Sequence, residues 1–152
     1  MLVFLDFDGV LHPYPCSDSE YFCWMDNLES VLHTFSNTEV IISSSWREHY
    51  DFSALQQLFP KSIQKQIIGV TPVITESSYD EGGRELEIVL WLQQQKREHE
   101  NWIAIDDNIS LFDQYVHKVI ECDSMTGLDD EITQKLWLSL KWRLCTCKMM
   151  QF

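Results

Sequence analysis

Positive charge is scarce in this chain. Lys and Arg together number 11 against 24 Asp and Glu, a formal net charge of -13 over 152 residues. So acidic a balance argues against broad, non-specific binding to a phosphate backbone, though it leaves room for a small local basic pocket. Apolar runs of membrane-spanning length are missing as well. The N-terminus has no basic segment ahead of its apolar residues, which a signal peptide would need. No internal repeat, low-complexity segment or linker breaks the chain. Cys16, Cys23, Cys122, Cys145 and Cys147 are odd in number and scattered, which does not suggest a disulfide framework. Cys145-Thr146-Cys147 would be half of a metal site, but it has no matching Cys/His pair. Reduced thiols in a cytoplasmic protein are the expectation.

What is present is apolar enough to fold. A hydrophobic fraction of 45% and six tryptophans point to a globular protein rather than a disordered one. The length suits one domain with a sizeable core, expected over 1–152 with its tail frayed after about residue 144.

One stretch organises the rest. Leu2-Val3-Phe4-Leu5 is a continuous apolar run, the mark of a buried parallel strand, and it leads into Asp6-Phe7-Asp8-Gly9. In an open α/β sheet, ligands bind beyond the carboxyl ends of the strands. Two carboxylates at that place are costly unless a cation neutralises them. A hard divalent ion bound through oxygen, Mg²⁺, is therefore expected.

Downstream, strand and helix patterns alternate. A Pro-containing polar loop reaches Glu20, with His12 beside the acid pair, where it could touch a substrate. Residues 24–35 have helical spacing at Leu28, Val31, Leu32 and Phe35. A β-branched strand at Glu39–Ser43 runs into Ser43-Ser44-Ser45-Trp46-Arg47, a hydroxyl cluster suited to an oxyanion or to capping a helix. A helix is expected over 50–59, with Phe52, Leu55, Leu58 and Phe59 inward, and a strand over 66–72. A polar loop at 73–83 precedes a helix over 84–95 whose broad apolar face includes Leu86, Ile88, Val89, Leu90, Trp91 and Leu92. Arg84 opens that helix, where a cation opposes the macrodipole, so its placement hints at another purpose. A strand at 101–105 ends in Asp106-Asp107-Asn108, and a strand at 116–121 follows. The terminal helix, 128–144, carries Leu128, Ile132, Leu136, Leu140 and Leu144. The alternation predicts an α/β fold, a Rossmann-like three-layer sandwich with a mostly parallel central sheet.

Each polar motif falls at or just after a strand end. Acid pair, hydroxyls, cation and second acid pair are what phosphoryl transfer requires, since an anionic nucleophile must approach an anionic phosphate. Here the chain resembles the haloacid-dehalogenase (HAD) superfamily. Asp6-Phe7-Asp8-Gly9-Val10 is similar to its first motif, Val40–Ser44 to its second and Ile103–Asp107 to its fourth. Arg84 is the choice for the basic third motif, with Lys65, Lys96 and Arg97 as rivals. Asp8-Gly-Val-Leu-His-Pro, Ser44-Ser-Trp-Arg, Gly69-Val-Thr-Pro, Arg84 with Glu87-Ile88 and Trp91-Leu92, Asp106-Asp107 and Gly127-Leu128 resemble a small group of cap-less HAD domains, found alone or attached to RNA-repair proteins.

That resemblance implies roles. Asp6 would attack phosphorus and form an aspartyl-phosphate. Asp8 would be general acid and then base, its backbone carbonyl a metal ligand beside Asp6 and Asp107. Asp106 would orient the site from behind, or exchange roles with Asp107. Ser44 would bind the phosphoryl group, with Ser45, Gly9 and Arg84, and Ser43 is its rival. Dehalogenases lack the second acid, so Asp8 favours phosphate esters, and P-type ATPases are excluded by size. Neither inter-motif insert is large enough for a folded cap, so the site would be open.

The expected activity is Mg²⁺-dependent hydrolysis of a phosphate monoester. The substrate would be a nucleic-acid end, a phosphoprotein or a small metabolite. Trp46 or Tyr14 could stack on a base. The alternative is a phosphate-binding or regulatory HAD-like module with little turnover. A signalling receiver domain fits less well, because its motifs follow another order and a late strand-end lysine is missing.

Overall fold

A computed structural model describes residues 1–74 and 83–149, with side chains through Trp142. Strands β1 (Leu2–Leu5), β2 (Glu39–Ile42), β3 (Ile67–Val70), β4 (Trp102–Asp106) and β5 (Val119–Glu121) form one parallel sheet in the order β3-β2-β1-β4-β5. Helices α1 (Met25–Thr34), α2 (Phe52–Gln57), α3 (Gly83–Gln95) and α4 (Asp130–Met149) pack around it. The sandwich expected from the alternating pattern is the architecture observed.

Side-chain alternation along the central strands builds two cores. Val3 and Leu5 of β1, Val40 and Ile42 of β2, and Ile103 and Ile105 of β4 share a cluster with Leu28, Val31 and Leu32 of α1 and Ile132, Leu136 and Leu140 of α4. Leu2 and Phe4, Ile41, Trp102 and Ala104 point to the other face and meet Ile88, Trp91 and Leu92 of α3. Phe4 sits edge-on to both Trp91 and Trp102, at centroid distances of 5.6 Å each. Burial on both faces is why β1 reads as an unbroken apolar run.

The same alternation places the site. Leu5 is in register with Ile42 and with Ile105, so Asp6, Ser43 and Asp106 lie level, one residue further on. Asp6 continues the Leu2–Phe4 side, Ser43 the Ile41 side and Asp106 the Trp102–Ala104 side. All three therefore belong to the face covered by α3.

Several local expectations are corrected. The helix expected over 50–59 is α2 alone, capped by the Asp51 side chain, which accepts from Ala54 N at 2.8 Å; Leu58, expected inward, is exposed. On α3, Leu86 is exposed while Glu85 and Glu87 are buried beside Ile88, Trp91 and Leu92. The carboxylate of Glu85 accepts from the backbone N–H groups of Asp113, Gln114 and Tyr115 at 2.9, 3.2 and 2.9 Å, so a tertiary partner selected its face. The first half of the strand expected at 116–121 is a 3-10 turn, Val116–Lys118. Helix α4 continues to Met149, past the expected end at 144. Most of the polar loop at 73–83 and the side chain of Leu144 lie outside the described residues.

Between β1 and β2 the chain holds a 3-10 turn, Asp18–Glu20, and α1. Among the described residues no second folded unit covers the strand ends. No helix among them is long and apolar enough to cross a membrane. Cys16, Cys23 and Cys122 are free thiols.

Candidate active site

Three carboxylates meet at the carboxyl ends of β1 and β4. One oxygen each from Asp6, Asp106 and Asp107 lies within 4.8 Å of the others. The loop after β1 is shaped for this approach. Gly9 has φ +68°, and a Cβ there would stand 2.2 Å from Oδ2 of Asp107. Its bare Cα gives the Asp107 carboxylate its place, a contribution separate from and additional to the phosphate contact expected of it. Phe7 N–H donates to Oδ1 of Asp6 at 2.8 Å, and Asn108 N–H donates to Oδ1 of Asp106 at 3.0 Å.

Asp106 stands within this triad together with Asp107, the residue with which it was expected to share or exchange the ligand and orienting roles. Burial, then the neighbouring charge of Asp6, pushes its carboxyl well above the usual range, with Arg84 opposing. Burial and Asp6 push Asp107 up to about 6. Oδ2 of Asp106 is buried and accepts no hydrogen bond. A compact all-oxygen donor set, with a buried oxygen that accepts no hydrogen bond and raised carboxyls, fits a hard divalent cation. Cys122 is buried nearby, and burial with Asp106 and Asp107 pushes its thiol up to about 12, which leaves it protonated and unreactive at neutral pH.

Among the described residues, Arg84 is the cation that reaches the triad. Its Nη1 lies 3.4 Å from Asp6 Oδ1 and 3.5 Å from Asp106 Oδ2, and it donates to the carbonyl of Ser43. Burial opposes its charge, but Asp6, Asp106 and Glu87 more than offset this and hold the guanidinium above its ordinary value. This tertiary role explains a cation in the first turn of α3. The rivals are elsewhere: Arg97 pairs with Glu39 and Glu100, and Lys65 and Lys96 are exposed.

The hydroxyl cluster divides by position. Ser43 and Ser44 are both buried. Ser44 Oγ accepts from Trp46 N at 3.4 Å and caps the 3-10 turn Ser45–Glu48. Ser43, the rival, is the residue level with Asp6. Ser45 is exposed and lines a cleft with Arg47, Arg84 and Glu87. Arg47 braces this turn: it donates to the carbonyls of Ser43 and Ser44 at 2.7 Å each and of Thr71 at 3.1 Å, and it forms an ion pair with Glu87.

Asp8 has a different setting. Its carboxylate is outside the triad and partly exposed, held by the Trp46 indole N–H at 3.2 and 3.1 Å and by His12 Nε2 at 3.0 Å. The side chain of His12 is wholly buried, so its predicted neighbourhood to the acid pair takes the form of a bond to Asp8. The indole edge of Trp46 is likewise engaged by Asp8, whereas Tyr14, the other stacking candidate, is exposed. No local signal marked Trp46 as a partner, since 38 residues separate it from Asp8.

The chain matches, over residues 2–132, a family model described as "HAD domain in Swiss Army Knife RNA repair proteins". No curated protein and no solved structure matches it.

Proposed function

The chain belongs to the family of HAD domains of Swiss Army Knife RNA repair proteins, and on that premise we propose that it is a Mg²⁺-dependent phosphatase acting on phosphate monoesters. The family points to phosphatase-type hydrolase chemistry. The observation that carries the finer reading is the unlike treatment of the two acids of one motif. Asp6 sits in a carboxylate triad under a guanidinium, and Asp8 is turned to hydrogen-bond donors at the opening.

In this mechanism a carboxylate oxygen of Asp6 attacks phosphorus as the ester P–O bond breaks. Asp8 gives its proton to the departing oxygen, leaving an aspartyl-phosphate. Asp8, now a base, takes a proton from water. The water oxygen attacks phosphorus, the Asp6–phosphorus bond breaks, and inorganic phosphate leaves with Asp6 restored. Arg84 balances charge on the phosphoryl oxygens and on Asp6. The level of Ser43 with Asp6 supports Ser43 as the phosphoryl-binding hydroxyl, in preference to Ser44. Mg²⁺ held by the carboxylates of Asp6, Asp107 and Asp106 and the Asp8 carbonyl would supply charge neutralisation.

The strand ends, which no second folded unit among the described residues covers, support a bulky phosphorylated substrate, and the formal net charge of -13 weighs against a bare polynucleotide gripped through its backbone. Cytoplasmic residence is consistent with the free thiols.

A generic aryl phosphate with Mg²⁺ tests the activity. Hydrolysis should be abolished by EDTA and by Asp6→Asn. Turnover that survives Asp6→Asn removes the nucleophile assignment. A wild-type protein that binds beryllium fluoride but releases no phosphate would be a binding module.

A further inference from the structure

We propose that Trp46 and His12 are positioning residues for proton delivery: together they fix the Asp8 carboxyl in the orientation from which it protonates the leaving oxygen. This rests on the general-acid role given to Asp8 above. Trp46 Nε1 spans both Asp8 oxygens, at 3.2 and 3.1 Å, and an indole N–H can only donate. His12 Nε2 adds a third contact, at 3.0 Å to Oδ1. A partly exposed carboxylate is ordinarily free to rotate; this one is clamped from two chain segments.

The clamp is itself held rigidly. The His12 ring lies against Tyr21, Phe22 and Trp46, with centroids at 5.0, 5.2 and 5.8 Å. Trp46 also meets Phe7 at 5.7 Å, Phe22 at 5.4 Å and Tyr50 at 5.8 Å. Two features of this box are unfavourable to folding. Phe22 takes φ +61°, a left-handed conformation rare for an aromatic residue. The buried Nδ1 of His12 has no hydrogen-bond partner. Packing alone would be served as well by an apolar ring at position 12, so the imidazole is explained by its bond to Asp8. Positioning of this kind is kinetically important, since displacement of a reacting group by about 1 Å costs on the order of 100-fold.

Proton delivery matters only when the leaving oxygen is basic, which separates positioning from a structural role. The experiment compares kcat/KM, which reports the first bond cleavage, for phenyl phosphate and for 4-nitrophenyl phosphate. Trp46→Phe and His12→Phe keep an aromatic ring and remove the nitrogen. Each should lower kcat/KM for phenyl phosphate at least 10-fold more than for 4-nitrophenyl phosphate, in the same direction as Asp8→Asn and to a smaller degree. Equal losses on both esters, or none on either, would overturn the proposal. If Asp8→Asn itself does not discriminate between the esters, the general-acid reading fails first and takes this proposal with it. A second measurement does not depend on turnover. The Trp46 indole N–H resonance, identified as the one missing in Trp46→Phe, should shift upfield in Asp8→Ala. An unchanged resonance would contradict the clamp.

Discussion

Ser43 and Ser44 are adjacent in the chain and differ in setting. Strand alternation puts Ser43 level with Asp6, and Ser44 caps the turn that follows. Ser43→Ala should lower kcat/KM by about 100-fold, in the range for loss of one preorganised donor. Ser44→Ala should cost about 1 kcal/mol of stability in a urea titration, with the smaller kinetic effect. The reverse ranking of the two kinetic effects would return the phosphoryl contact to Ser44. At Gly9 the expected outcome is stricter. A methyl group there meets Asp107 Oδ2 at 2.2 Å, so Gly9→Ala should weaken Mg²⁺ binding in calorimetry at least 10-fold, on the order of a lost metal-orienting contact. Asp6, Arg84, Asp106 and Asp107 were legible because each falls at a strand end or opens a helix. The Asp8 contacts to Trp46 and His12 were not, because neither a tryptophan nor a histidine announces a hydrogen-bond partner from its spacing.

Elements were read best where burial follows a simple period. Strand β1 is buried on both faces and its bounds agree with the apolar run. Helix α3 shows where the period misleads. Its sequence offers a wide apolar stripe, and the fold nevertheless buries Glu85 and Glu87 and exposes Leu86. Backbone N–H groups of residues 113–115 and the Arg47 guanidinium select that face, and both lie far away in sequence. Glu85→Ala would strip three N–H groups of a charged acceptor, and hydrogen bonds to charged groups are worth about 1.5–3 kcal/mol each. A loss of about 3 kcal/mol in urea unfolding is expected. A change below about 0.5 kcal/mol, typical of surface substitutions, would mean that the carboxylate does not anchor this loop.

Across the molecule as a whole, the carboxylate triad ties stability to pH, and a divalent cation bound there would couple to the same protons. The folded pKa of Asp107, about 6, and the raised pKa of Asp106 lie above the unfolded carboxyl value of about 3.9. At these two carboxyls the metal-free native state therefore holds more protons than the unfolded chain from about pH 4 to 6. That contribution to stability is fully present below the unfolded value and is lost as pH rises through the folded one. A divalent cation competes with those protons, so Mg²⁺ should raise the melting temperature clearly at pH 7.5 and little at pH 4.5. Equal shifts at the two pH values, or none, would place the ion away from the triad. The three-layer architecture was legible at this scale because strand and helix patterns alternate throughout. The aromatic box around Asp8 was not, because it is assembled from two loops.

In the proposed reaction Asp6 carries the phosphoryl group. Borohydride reduces an acyl phosphate to an alcohol, so quenching steady-state turnover with it converts a phosphorylated aspartate to homoserine. Peptide mass spectrometry of the quenched protein should find homoserine at position 6, dependent on substrate and Mg²⁺, and none at position 8. Active turnover with an unmodified Asp6, or homoserine at position 8 instead, would rule out Asp6 as the nucleophile.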